Sequence, residues 1–360
     1  MSKWEEKKFK EFIKLNRGFD LPNDKMKFGN YPVVASTHIK GYHISYKVTA
    51  PVVVTGRSGS LGVVQYIDKN CTPLNTTLYV KDFKGNFPRF VYYYLKTMRL
   101  DTFNSGAGVP TLNQNHLHSM KINIPDLPTQ ERIADILSAY DDLIEANNRR
   151  IELLEQAAQE LYKEWFVRFR FPGHEKVKFE NGLPEGWRIG KFKDELNYNT
   201  GKLDSNASSE DGKYSFYTCA KTVYKTNTYC FDGECVLLGG NNATGDFSLF
   251  YANEKLDAYQ RTYIVTPQNP LLSCVYIYFV LNDYLLQFKT SSIGATTKFL
   301  TKGMLDKAKI IIPDTTILLW YNELSQNMFK QITLLKARNE NLAAQRDLLL
   351  PRLMSGKLEV

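Results

Sequence analysis

Thr129–Trp165 reads TQERIADILSAYDDLIEANNRRIELLEQAAQELYKEW, and apolar or small side chains recur through it in a 4-3 alternation. The positions are Ile133, Leu137, Tyr140, Ile144, Asn147, Ile151, Leu154, Ala158, Leu161 and Trp165. Such a seam repeats every half heptad and needs a second helix to cover it. No Gly or Pro interrupts residues 129–171. The spacing therefore predicts one helix of about 38 residues, about 57 Å long.

The covering helix is encoded further along. Adding 188 to each seam position gives Tyr321, Ser325, Met328, Ile332, Leu335, Asn339, Leu342, Arg346, Leu349 and Leu353, a poorer seam but a legible one. Pro351 is expected to kink or end this helix near Leu350, because it supplies no amide hydrogen. Each seam carries a central Asn, Asn147 or Asn339, and a polar seam residue fixes register at some cost in stability. On the first helix's scale Asn339 falls at 151. Antiparallel pairing about a local two-fold near position 149 would bring the two Asn together.

The repeat extends through the whole chain. Trp4, Lys8, Phe9 and Lys10 return as Trp187, Lys191, Phe192 and Lys193, an offset of 183. The same offset links Asn16/Asn199, Gly18/Gly201, Gly29/Gly212, Tyr31/Tyr214, Tyr46/Tyr229, Val53/Val236, Gly56/Gly239 and Gly62/Gly245. By Gly106-Ala107 against Gly294-Ala295 it has become 188, and it stays there through Leu112/Leu300, Leu117/Leu305 and Ile124-Pro125-Asp126/Ile312-Pro313-Asp314. A period this long marks a duplicated domain, not a solenoid.

Within each copy, Val52–Thr55 and Cys235–Leu238 read as buried strands ending at a Gly, and Phe87–Leu100 and Val275–Leu286 as apolar helices. Met120–Ile124 and Ile310–Ile312 read as strands stopped by Pro. Phe171-Pro172-Gly173 through Gly182-Leu183-Pro184-Glu185-Gly186 reads as a linker. The divisions are 1–127 for the first module, 128–169 for its helix, 170–186 for the linker, 187–315 for the second module and 316–357 for the second helix. The fold class is α+β: two similar mixed modules separated by two long helices forming an antiparallel coiled coil with a pseudo-two-fold.

The hydrophobic fraction of 43% supports real cores, and the net charge of +8 with pI near 9.0 suits a polyanion. Five cysteines without a CxxC pair point to a reducing cytosol and no disulfide framework. The charged amino terminus gives no expectation of a signal peptide, and the apolar run Leu271–Phe288 carries polar residues that make a membrane span unexpected. Two unlike readers joined by a stiff antiparallel pair suit a split DNA sequence. A rod of about 57 Å covers on the order of 17 base pairs.

Several strings resemble type I restriction–modification specificity subunits. Pro128-Thr129-Gln130-Glu131-Arg132-Ile133-Ala134-Asp135-Ile136-Leu137 resembles the start of their first conserved helix, and Glu164-Trp165-Phe166 its exit. Leu183-Pro184-Glu185-Gly186-Trp187 resembles the start of a second target-recognition domain. Gly294-Ala295-Thr296-Thr297-Lys298-Phe299-Leu300 resembles the turn before the last strand. Leu348 through Leu358 resembles the carboxyl terminus. The Gln-Glu start is missing from the second helix, where Thr315-Thr316-Ile317-Leu318-Leu319-Trp320 stands. The resemblance implies a non-catalytic subunit whose two target-recognition domains each read half of a bipartite, asymmetric site in double-stranded DNA. It implies two adenine-N6 methyltransferase subunits and nuclease–translocase subunits as partners, and no membrane association. S-adenosylmethionine, ATP and magnesium would then belong to the partners, with no cofactor in this chain.

The residues themselves offer little chemistry. Asn269-Pro270-Leu271-Leu272 lacks the second Pro and the aromatic of an amino-methyltransferase loop, and no GxxxxGK[ST] loop exists. His116 and His118 have no third ligand nearby in sequence, so no metal is expected. Candidate DNA contacts in the first copy are Arg57, Ser58, Asn104, Thr111, Asn113, Gln114 and Asn115. In the second they are Asn241, Asn242, Thr244, Arg261, Thr296, Thr297 and Lys298. The Gly frame is shared while the polar residues differ, as readers of unlike sequences require. Other readings are a specificity subunit serving a fused methyltransferase–nuclease, a self-contained adenine methyltransferase, or a basic coiled-coil scaffold without base readout.

Overall fold

The computed structural model describes residues 4–106, 108–292, 294 and 296–360. Ala107 and Ala295 of the repeated Gly-Ala pairs lie outside the described residues, as do residues 1–3.

The first copy begins with β1 (Trp4–Lys8), a single helical turn α1 (Phe9–Phe12) and β2 (Lys14–Arg17). The hairpin β3 (Tyr31–Val34) and β4 (Ile39–His43) follows. β5 (Val52–Gly56) is buried along its whole length, as an unbroken β-branched run requires. β6 (Val64–Ile67), β7 (Thr72–Pro73), β8 (Thr77–Asp82), α2 (Pro88–Thr97), α3 (Gln114–Ser119) and β9 (Lys121–Pro125) complete it. The first long helix, α4 (Leu127–Tyr162), runs 36 residues and ends in a π-helical turn at Lys163–Val167.

The segment expected to be a plain linker holds a small hairpin, β10 (Phe179–Glu180) and β11 (Leu183–Pro184). Phe171 is buried there and stacks on Trp187 at 5.0 Å, so the aromatics order a stretch that periodicity could not reveal. The second copy then runs β12 (Arg188–Lys191), α5 (Phe192–Glu195), β13 (Leu196–Thr200), β14 (Tyr214–Tyr217) and β15 (Tyr224–Thr226). β16 (Phe231–Gly239), β17 (Asn241–Asn242), β18 (Leu249–Ala258), β19 (Thr262–Pro267), α6 (Cys274–Ser291), β20 (Lys298–Phe299), α7 (Lys302–Lys307) and β21 (Lys309–Ile312) follow. The second long helix is α8 (Thr315–Met354), 40 residues.

The duplication is visible in the sheets. The order β2-β8-β5-β6 in the first copy matches β13-β19-β16-β18 in the second, and β1-β9 matches β12-β21. One difference has a clear cause. In the second copy β18 continues into parallel pairing with β14, giving one six-stranded sheet. In the first copy β7 makes that parallel pairing with β3 separately from β6, so two sheets result. The extra length of β16 is Phe231–Glu234, and Glu234 corresponds to Pro51, which cannot donate to a ladder.

The two long helices start alike. Asp126 caps α4 by accepting from the Thr129 amide at 3.1 Å, and Asp314 caps α8 by accepting from the Thr316 amide at 2.8 Å. Behind the caps they differ. Gln130 is buried and fully bonded: Nε2 donates to Asn86 Oδ1 and Pro125 O, and Oε1 accepts from the Phe87 amide. At the matching position Leu318 is wholly buried in an apolar cluster. The missing Gln is thus replaced by packing, which needs no polar partner. The expected end near Leu350 is corrected: α8 passes through Pro351 to Met354. Leu350, Leu353 and Met354 are buried against the first copy's core, and that burial outweighs one lost helical hydrogen bond.

Contacts divide the chain into Met1–Asn147 with Ala337–Val360, and Asn148–Lys336. Each unit thus holds one module and part of both helices. In the first unit Ile133 and Leu137 are buried with Leu350 and Leu353, Arg346 pairs with Asp141, and Asn147 Nδ2 donates to Asn339 Oδ1 at 2.8 Å. In the second, Ile151, Ala158 and Trp165 are buried with Tyr321, Ile332 and Leu335, and Trp165 meets Tyr321 at 6.1 Å. Rising numbers on one helix meet falling numbers on the other, so the pairing within each unit is antiparallel. Tyr140, Ile144, Leu154, Leu161, Met328, Leu342 and Leu349 are half-buried along the same seam.

Candidate nucleic-acid interface

Each copy ends its central strand at a Gly that no other residue could replace without movement. A Cβ on Gly56 would meet the Ser60 carbonyl oxygen at 1.9 Å, and one on Gly239 would meet Ser248 Oγ at 2.6 Å. The loop beyond that Gly is tied to the turn before the last strand. In the first copy the Leu112 amide donates to Arg57 O at 2.8 Å. In the second the Leu300 amide donates to Gly240 O at 2.9 Å. Both pairs sit at matching repeat positions, so one backbone bond builds the same two-loop platform twice.

On the first platform Ser58 bridges Thr111 and the Gly59 amide donates to Pro110 O. Asn104 is structural: its Oδ1 accepts from the amides of Gly106 and Thr111, both at 2.9 Å. Thr111 Oγ1 donates to Val109 O. Asn113 caps α3 by accepting from the Asn115 amide, which accounts for its side chain locally. The Gln114 Oε1 is buried and accepts no hydrogen bond in the described structure. Asn115 is exposed, and Arg57 makes one long contact, Nη1 to Asn75 O at 3.4 Å. Arg57 is therefore the cation on this platform with donors to spare.

The second platform pairs β17 with β20, setting Asn241 opposite Phe299 and Asn242 opposite Lys298. Asn242 Oδ1 accepts from the amide and hydroxyl of Thr244, both at 2.8 Å. Asn241 Oδ1 is buried and accepts no hydrogen bond among the described residues. Arg261 is exposed and holds its guanidinium over the Phe299 ring at 5.2 Å, a contact that orients the cation. Thr297 is half-buried and Thr296 exposed beside Lys298. An acid also stands here: Asp246 accepts from Lys289 Nζ at 2.7 Å and from Thr244. Lys289 first, then Thr244, hold its carboxyl below the usual range. Sequence reading missed Phe299 as Arg261's support and Lys289 as the counter-charge; both lie far from their partners in sequence.

Arg57, Ser58, Asn104 and Thr111 are thus brought together, and so are Asn241, Asn242, Thr244, Arg261 and Lys298. His116 and His118 serve the fold. His118 Nε2 accepts from the Leu15 amide at 3.1 Å, and His116 packs edge-on against Phe103. Burial pushes the Cys71 and Cys235 thiols up to about 12, away from nucleophilic use. Among the described residues no His, Cys, Asp and Glu group is arranged to hold a metal ion, and no helix is long and apolar enough to cross a membrane.

Comparison with known proteins also finds the duplication. Residues 1–156 and 184–339 each match the type I restriction modification DNA specificity domain. The chain is 27% identical over 309 residues to the type I restriction enzyme MjaIX specificity subunit of Methanocaldococcus jannaschii, covering 77% of this chain and 70% of that one. It is 32% identical over 160 residues to the type I restriction enzyme EcoDI specificity subunit of Escherichia coli, covering 44% of this chain but only 35% of that one. The crystal structure of a type I restriction–modification S subunit from M. genitalium shares the fold at a TM-score of 0.67 and 16% identity, covering 98% of this chain and 96% of that one. With both copies of the repeat matched, the chain belongs to the type I restriction modification DNA specificity family.

Proposed function

We propose that each copy reads one half of a bipartite, asymmetric DNA site and that the chain itself performs no reaction. The observation that carries this reading is the twice-built platform with unlike tips. The Leu112–Arg57 and Leu300–Gly240 bonds coincide, while Arg57 and Ser58 stand where Gly240 and Asn241 stand. Base edges are told apart by the donor and acceptor pattern set against them, so a shared frame with different side chains is what two different half-sites need. A net charge of +8 favours approach to a polyanion. The unread gap between half-sites scales with the paired helices, and one added heptad in each lengthens it by about three base pairs.

Methyltransferase subunits, two per chain, dock on apolar side chains that the long helices leave exposed, among them Ile136, Leu143, Leu153, Leu319, Leu334 and Leu348. Nuclease–translocase subunits join the same assembly. S-adenosylmethionine, ATP and magnesium act in those partners, in the cytosol. The test is to map methylated adenines in DNA from cells carrying this chain and its methyltransferase. A motif of two unlike halves around unread bases supports the reading; a continuous motif, or saturable S-adenosylmethionine binding by the isolated chain, overturns it.

A further inference from the structure

We infer that the tip of the β3–β4 hairpin and its β14–β15 counterpart, each taken as the turn and the strand leaving it, are a third base-reading element, carrying Thr37, His38 and Lys40 in the first copy and Lys221, Thr222 and Lys225 in the second. The inference rests on the half-site reading above and extends it to a part of the chain outside the two Gly-bounded loops.

The carrying observation is a single carbonyl that fastens turn to platform in both copies. In the first, Thr76 O accepts from Ser36 Oγ at 3.0 Å and from the Arg57 amide at 2.8 Å. In the second, Arg261 O accepts from Cys219 Sγ at 3.5 Å and from the Gly240 amide at 2.7 Å. Ser36 and Cys219 are related by the 183 offset, as are Arg57 and Gly240. Thr76 and Arg261 each precede the strand paired with the central Gly, Thr77 to Gly56 and Thr262 to Gly239. The fit under the Gly repeats too. A Cβ on Gly56 would lie 3.3 Å from Ser36 Cβ, and one on Gly239 3.2 Å from Cys219 Cα.

Beyond that fastening the turns diverge. Thr37, His38, Ile39 and Lys40 are exposed in one copy, and Lys221, Thr222, Val223 and Lys225 in the other. The hairpins under them keep one register, Tyr31 opposite His43 and Tyr214 opposite Thr226. His38 Nδ1 lies 3.0 Å from Thr37 Oγ1, so that hydroxyl and ring are held together, and Nε2 is a donor or an acceptor by tautomer on an exposed side chain. The second hairpin offers two ammonium donors, Lys221 in the turn and Lys225 in β15, and the Thr222 hydroxyl, which match the acceptor-rich edge of guanine. A fixed base with unlike polar tips, beside Arg57 in one copy and Arg261 in the other, extends each reading surface along its half-site.

The full-length chain is tested on a randomised duplex pool, with H38A/K40A, K221A/K225A and, as reference, R57A. Each pair is expected to relax preference by about tenfold at positions in one half-site only, a larger effect than its loss of binding to scrambled duplex, with the melting temperature unchanged. If R57A alters its half-site while neither turn pair changes any preference, the turns are merely solvated and the inference fails while the half-site reading stands. Equal weakening on every sequence assigns the turns to phosphate and also overturns it. If R57A and both pairs leave all preferences unchanged, the half-site reading fails with it.

Discussion

Asn147 and Asn339 meet inside the helix seam, with Asn147 Nδ2 donating to Asn339 Oδ1 at 2.8 Å. Replacing either partner removes this bond from the seam. N147L is expected to cost about 1–3 kcal/mol, because Asn339 Oδ1 loses the Asn147 donor. N147L/N339L should regain most of that loss while loosening register. Urea unfolding of the wild type, both single variants and the double variant closes the cycle; additive single effects would deny the coupling.

Arg261 is exposed and holds its guanidinium over the Phe299 ring. R261A is expected to lose about 1–3 kcal/mol at the second copy's half-site and to relax specificity there, leaving the first half-site alone. F299L should give part of that effect by freeing the guanidinium. Methylome mapping reads both variants, and a uniform fall across all sites would assign Arg261 to phosphate.

Gly18 and Gly201 lie against backbone in the same way. A Cβ would meet Leu74 O at 2.2 Å in one copy and Ala258 O at 1.7 Å in the other. Neither carbonyl belongs to a flexible tip, so both strands must shift. G18A and G201A are each expected to cost about 1–3 kcal/mol, measured by thermal melting of the full chain.

Glu195 is buried and accepts from Arg188 Nη1 at 2.5 Å and from Asn269 Nδ2 at 3.0 Å. Arg188 first, with Asn269, holds its carboxyl below the ordinary 4.5 against the opposing pull of burial. A depressed acid stabilises the fold above its unfolded pKa, and that contribution is lost as pH falls through the folded value. The stability gap between wild type and E195Q should therefore be full at pH 6 and shrink on acidification below about 4.5. A gap that is flat with pH would deny the ion pair this role.

The helices were legible because their signal is repetitive. A 3.5-residue period over four heptads leaves few other folds, and the 188 shift exposes the partner helix even where Ser325 and Arg346 weaken the pattern. The structure gives Arg346 its reason: it pairs with Asp141, whose other oxygen accepts from Tyr93 OH at 2.6 Å. Nothing local in sequence announces that triad, since Tyr93, Asp141 and Arg346 come from three separate helices. The continuation through Pro351 was hidden for a similar reason, because tertiary burial of Leu353 decided it. The Gly frame of the two platforms could be read from the repeat. Which polar tips are spent on their own backbone, as with Asn104 and Asn113, could not, because side-chain hydrogen bonds in turns depend on geometry that composition does not fix.

The division of the chain has a consequence for its synthesis. The second unit is one continuous stretch, Asn148–Lys336, but the first needs both Met1–Asn147 and Ala337–Val360. A ribosome adding roughly 5–20 residues per second therefore delivers the amino-terminal module's last helical segment on the order of ten seconds or more after the rest. Through that interval Ile133 and Leu137 await Leu350 and Leu353. The earlier-made half matures last, and a nascent chain stalled in α8 after Lys336 but before Leu350 carries one finished reader and one unfinished.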